Sequence, residues 1–159
     1  MRLDEMLARR LAAEVEAELS SLLRLGQELS SAPTDCDTFS LRARASILHD
    51  FYTGVERIFV RIAEELNGGV PRSEQWHRQI LHDMTLELQD VRPAVITSQL
   101  AAELGEFLRF RHVFRNVYGF VLEADRMRPL QECLVGVLDR FLIEIRMFNA
   151  WMLGERFAS

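Results

Sequence analysis

The chain has 159 residues, 48% of them hydrophobic and 27% charged, with a net charge of −5 at pH 7. That length suits a single domain over residues 1–159 whose core needs no disulfide or metal staple, and that composition excludes a disordered chain. The acidic total also excludes RNA or DNA binding through the surface at large, which rests on neutralising many phosphates, so any RNA contact must be local and none to DNA is expected.

All 19 basic residues are arginine. The codon bias of a GC-rich genome accounts for this, although guanidinium is also the better bidentate phosphate ligand. Cys36 and Cys133 lie far apart, show no CxxC spacing and follow no apolar signal segment, so a reducing, cytoplasmic setting is expected. The most apolar run, roughly 130–153, is broken by Glu132, Asp139, Arg140, Glu144 and Arg146, which excludes a bilayer span there.

Apolar residues recur at three- and four-residue spacing between Pro33, Pro71, Pro93 and Pro129, the pattern of helices separated by breakers. A first helix is predicted over about 3–29, with Leu3, Leu7, Leu11, Val15, Leu19, Leu22 and Leu25 on its apolar side, followed by a loop at SSAPTDCDT. The second, about 38–67, carries Phe39, Ala43, Ile47, Phe51, Val55, Ile58, Ile62 and Leu66 and stops at Asn67-Gly68-Gly69. A third, about 73–89, has Ser73 as its expected N-cap and ends at VRPAV.

The fourth covers about 97–118, ending near Gly119, and the fifth starts near Pro129, a first-turn position, and runs through Met152. No segment alternates with period two. The expected fold is therefore all-α, an antiparallel bundle of four long helices and one shorter one.

The fourth helix holds FLRFRHVFRNVYGF, residues 107–120, a core-type segment crowded with polar groups. At roughly 100° per residue, Leu100, Leu104, Phe107, Phe110, Phe114, Val117 and Val121 fall in one arc that faces the core. Arg111 and Tyr118 lie about 20° apart at one flank of that arc, and Arg115 lies out on the other. His112, Asn116 and Arg109 turn towards solvent or a partner chain. This face serves either as a solvated surface with ion pairs to Glu103, Glu106 or Glu123, or as a grip on a phosphate or a facing subunit.

Other chemistry finds little support. His77 and His82 are five apart rather than the four that put two ligands on one helical face, and no cysteine or carboxylate set surrounds them, so neither metal nor other cofactor is expected. There is no Gly-rich phosphate loop and no G-x-S-x-G turn.

Four segments, LHDFYTGVERIF (48–59), EQWHRQILHDM (74–84), VRPAV (91–95) and FLRFRHVFRNVYGF, together resemble the HepT-like proteins of the HEPN superfamily over about residues 38–130. The resemblance implies a helical homodimer with an R-x4-H-x-Y motif at a cleft between subunits. It further implies a metal-independent ribonuclease, the toxin of a pair whose antitoxin is a small nucleotidyltransferase that adenylylates the motif tyrosine. Arg111 then takes the arginine position, Tyr118 the tyrosine position, and Asn116 stands where the histidine belongs. Arg109 and Arg115 become the RNA phosphate ligands.

The substitution matters because imidazole transfers a proton near neutral pH and an amide does not. His112, one turn before Asn116 and about 40° round from it, is a candidate to substitute as general base. A noncatalytic subunit that binds the nucleotidyltransferase and offers Tyr118 for adenylylation is the alternative. The R-x4-H spacing also occurs at Arg44–His49 and Arg72–His77, and both of these pairs are set aside.

Overall fold

A computed structural model describes residues 3–116 and 123–155. They form α1 (Glu5–Ser31), α2 (Thr38–Leu66), α3 (Trp76–Asp83), α4 (Ser98–Asn116) and α5 (Ala124–Met152). Among the described residues there is no strand, and no helix is long and apolar enough to cross a membrane.

Local chemistry explains where the first helices begin and end. Asp4 accepts from the Met6 amide at the start of α1, and Asp37 accepts from both the amide and the hydroxyl of Ser40 at the start of α2. Past the end of α2, Gly68 and Gly69 take φ of 75° and 131°, and the Gly69 amide returns to the Ala63 carbonyl at 3.1 Å. Only glycine enters that left-handed region without steric cost, which is why the helix stops there.

Cross-helix ion pairs reveal the register. Arg10 meets Glu65 and Arg61 meets Glu14, each at 2.9 Å, so α1 and α2 run antiparallel. Arg146 meets Glu16 at 2.8 Å while Leu138 lies against Gly26, and Arg140 meets Glu103 while Glu144 accepts from the Thr97 amide, so α5 runs antiparallel to both α1 and α4. These exposed pairs each contribute only about 0–1 kcal/mol. Stability comes from the shared core of Leu11, Leu19, Leu48, Phe51, Phe59, Ile62, Phe107, Phe141 and their neighbours, all buried. Phe51 meets Phe107 edge to face at 4.9 Å between ring centroids, tying α2 to α4, and Phe59 meets Phe141 at 5.9 Å, tying α2 to α5.

Three expectations from periodicity and caps are corrected. Phe39 is 87% exposed and Ala43 is exposed too, because strict four-residue steps drift by about 40° each and carry Phe39 roughly 160° from Val55. The apolar seam at that end of α2 runs instead through Leu41, Ala45 and Leu48. Pro129 lies inside α5 rather than in its first turn, since the helix already begins at Ala124 and gives up one hydrogen bond near its start.

The third correction concerns α3, which spans only Trp76–Asp83; its N-cap is Gln75, while the Ser73 hydroxyl reaches Gln79 instead. The chain then reverses, with Leu88 and Arg92 exchanging both backbone hydrogen bonds at 2.9 Å and Asp90 in the turn at φ 61°. Helix periodicity continues through Met84 and Leu88, but the Leu88 backbone pairs with Arg92 instead of carrying the helix on. The predicted end of α4 at Tyr118 and Gly119 lies outside the described residues.

Arg92 organises the connection between α3 and α4. Its buried guanidinium donates to the carbonyls of Asp83, Leu86 and Pro93 and to Asn67 Oδ1, at 2.8–3.1 Å. Burial holds its pKa below the usual arginine value, against the opposing pull of Asp83. Arg92→Ala leaves these acceptors unsatisfied at about 1–3 kcal/mol for a typical buried group. The expected result is a lower melting temperature, with faster amide exchange at Val95 and Ile96, which close onto the Met84 carbonyl; unchanged exchange there would refute the role.

Candidate functional site

The connection held by Arg92 lays α3 beside α4, and both pack on α2. Thr97 caps α4 by accepting from the Leu100 amide at 3.2 Å, and its own amide donates to Glu144 of α5, so the start of α4 is anchored on two sides. Leu100, Leu104 and Phe107 keep the first part of α4 in the core; Phe110 and Phe114 are only half-buried. The last turns of α4 therefore stand partly clear of the bundle, with α3 alongside.

A cleft of about 600 Å3 opens there. Four arginines line it, Arg78 from α3 and Arg109, Arg111 and Arg115 from α4, together with His77 and His112. One carboxylate, Glu74, lies among them. In a chain of net charge −5 this is a local reversal of sign, and arginine is the side chain best matched to phosphate oxygens.

Arg111 is the floor of the cleft rather than its rim, with its side chain only 4% exposed. Its Nη2 donates to Glu56 Oε2 at 2.9 Å, and its Nη1 lies 3.4 Å from Thr53 Oγ1. Its guanidinium carbon stands 4.9 Å from the centre of the Tyr52 ring, within cation–π range. Tyr52, Thr53 and Glu56 occupy successive positions on the face of α2 turned to α4. Burial raises the Tyr52 phenol well above the usual range; the Glu56 charge adds to that and the Arg111 charge opposes it. The phenol is therefore a neutral hydroxyl at any working pH.

Glu56, whose side chain is 9% exposed, also accepts from His77 Nδ1 at 2.8 Å. A buried carboxylate requires such partners, because an unpaired one would carry the full desolvation penalty. One carboxylate from α2 thus joins an arginine from α4 to a histidine from α3.

Of the residues singled out in sequence, Arg109, Arg111, His112 and Arg115 come together along this cleft. Arg109 is exposed and pairs with Glu106 one turn earlier, and His112 and Arg115 are exposed as well. Asn116 ends α4, its side chain and all of Tyr118 lying outside the described residues. Sequence reasoning missed Glu56 and set His77 aside, although His77 lines the cleft and Glu56 is bonded to it from beneath. The available signal was Glu56 itself, a carboxylate within two positions of the buried Val55 and Ile58 on α2, which has to find a cation once buried.

The discarded Arg44–His49 pair has a structural explanation. Arg44 is buried and spent on the carbonyls of Pro33 and Asp35 in the α1–α2 loop, while His49 pairs with Asp50 and packs on Phe114.

No curated protein and no solved structure matches this chain. The family model described as HepT-like protein matches residues 43–152, from the second turn of α2 to the end of α5. That span takes in both walls of the cleft and the carboxylate beneath it, and with most of its length covered the chain belongs to the HepT-like protein family.

Proposed function

We propose that this chain binds RNA in the cleft between α3 and α4 and cleaves it without a metal ion, as the toxin of a toxin–antitoxin pair. The observation that carries the reading is the gathering of four guanidinium groups and two imidazoles in one cleft of an otherwise acidic chain. Arg78, Arg109 and Arg115 hold successive phosphates along the walls, and Arg111 supplies positive charge from the floor. Fixed guanidinium groups stabilise the charge that builds on a five-coordinate phosphorus, a role often given to a metal. His77 and His112 are the groups able to move protons.

The working form is a homodimer with isologous pairing, which sets two copies of one cleft face to face. The cognate antitoxin is a small nucleotidyltransferase. A second reading is favoured by Asn116, which cannot carry a proton: a noncatalytic subunit that offers Tyr118 to the nucleotidyltransferase.

Incubation of the purified protein with RNA in the presence of chelator tests the first reading. Fragments ending in 2′,3′-cyclic phosphate and beginning with 5′-hydroxyl are expected. Arg115→Ala should weaken RNA binding and lower the slope of log affinity against log salt by about 0.7, the loss of one phosphate contact. Intact RNA together with a salt-independent affinity would sink the reading, and transfer of a nucleotide to Tyr118 by the partner enzyme would then favour the second.

A further inference from the structure

The three groups beneath the cleft form an arrangement whose proton positions follow from chemistry. His77 Nδ1 and Arg111 Nη2 both approach Glu56 Oε2, at 2.8 and 2.9 Å, and lie 3.1 Å from each other. An ionised carboxylate only accepts and a guanidinium only donates. The hydrogen on His77 is therefore assigned to Nδ1, and the short separation from Nη2 is what two donors sharing one oxygen produce. The lone pair belongs to Nε2, on the opposite side of the ring from Glu56.

The ring is held as well as oriented. The Trp76 indole stacks on it with ring centroids 3.8 Å apart, and the Arg111 bond to Glu56 keeps the carboxylate from swinging away. The side chain is 34% exposed and lines the cleft, so the ring can be reached from there. A base set by an acid that is itself anchored is the recurring arrangement for a proton-transferring histidine.

Resting on the RNA-cleaving reading, the geometry points to His77 as the catalytic imidazole, with Glu56 as its positioning residue, in place of the histidine missing at position 116. His77 Nε2 takes the proton of a ribose 2′-hydroxyl, the 2′ oxygen forms a bond to phosphorus, and the bond from phosphorus to the 5′ oxygen breaks. The departing 5′ oxygen receives a proton from the His77 imidazolium by way of water. One proton leaves the 2′ oxygen and one arrives at the 5′ oxygen, nothing is oxidised or reduced, and the ring returns to its starting state. Glu56 stabilises the imidazolium between the two transfers.

His112 shares the cleft. The role is assigned to His77 on the buried carboxylate at its Nδ1.

The test measures cleavage of RNA in chelator by the full chain, its His77→Ala and His77→Gln variants, and Glu56→Gln. His77→Ala should lose roughly 10²–10⁴-fold in rate, bind RNA within about threefold of wild type, and regain part of its rate when free imidazole is added. Glu56→Gln should lower kcat and leave KM nearly unchanged, which a general loosening of the cleft would not do. His77→Gln keeps a polar side chain of similar reach, and should be as inactive as the alanine variant with a melting curve close to wild type. Cleavage by both His77 variants at the wild-type rate overturns the assignment and leaves the ribonuclease reading standing. Loss of cleavage in His112→Ala with retention in His77→Gln does the same and gives the role to His112. A wild-type chain that cuts no RNA overturns both.

Discussion

Arg111→Lys is expected to preserve the fold while reducing RNA cleavage by about 10²–10³-fold, the effect of losing one fixed electrostatic contact to a transition state. Lysine keeps the positive charge near Glu56, so the buried carboxylate is not stranded. What it loses is the planar fork. Arginine at this position binds Glu56 through Nη2, lies near Thr53 through Nη1 and stacks over Tyr52, leaving a guanidinium of set orientation under the cleft. An ammonium group on a flexible stem cannot hold that geometry. Initial rates in chelator, measured beside melting curves, check the prediction; a lysine variant that cuts RNA at the wild-type rate would reduce Arg111 to a counter-ion for Glu56.

The second large effect concerns stability. Glu56→Ala should cost about 3–5 kcal/mol, because it leaves the Arg111 charge, at 4% side-chain exposure, without its anion. Replacing both partners at once, Glu56→Leu with Arg111→Met, should recover most of that loss, since an apolar pair of similar volume has no charge to desolvate. Urea unfolding of the two variants gives both numbers. A single-variant loss below about 1 kcal/mol would mean that water reaches the pair and that its burial is not what holds it. The double variant should nevertheless be inactive on RNA, which separates what the pair does for the fold from what it does in the cleft.

The contrast between these variants and Arg115→Ala reflects position. Arg115 is exposed on the cleft wall and can be lost at small cost to the fold, whereas Arg111 and Glu56 connect α4 to α2 through the interior. The site and the core share residues here, so activity assays need a stability measurement beside them.

Much of this was readable in the chain order of residues. The apolar spacing of α1 and α5 and the glycines behind α2 are local signals, and the structure has the helices they imply. Leu134, Val137, Leu138, Phe141, Ile145, Phe148 and Met152, which recur at helical spacing along α5, are all buried. Local signals failed where a distant group competed. Helix periodicity ran on through Leu88, but the Leu88 backbone pairs with Arg92 and the guanidinium of Arg92 collects the carbonyls that the shortened helix leaves open.

The candidate site divides in the same way. Arg109, Arg111, His112 and Arg115 share one helix, and a turn of 3.6 residues is enough to place them near one another. By itself, then, the sequence determined an all-α chain with a cationic segment near the end of α4, because helix formation, capping and amphipathic faces depend on residues within about four positions of each other. Tertiary structure alone decided that Arg111 faces inward and that its partners are Glu56 and His77. Those contacts join residues 21, 34 and 55 positions apart. Their meeting depends on how α2, α3 and α4 pack, and a buried carboxylate announces that it needs a cation without saying which helix will bring it.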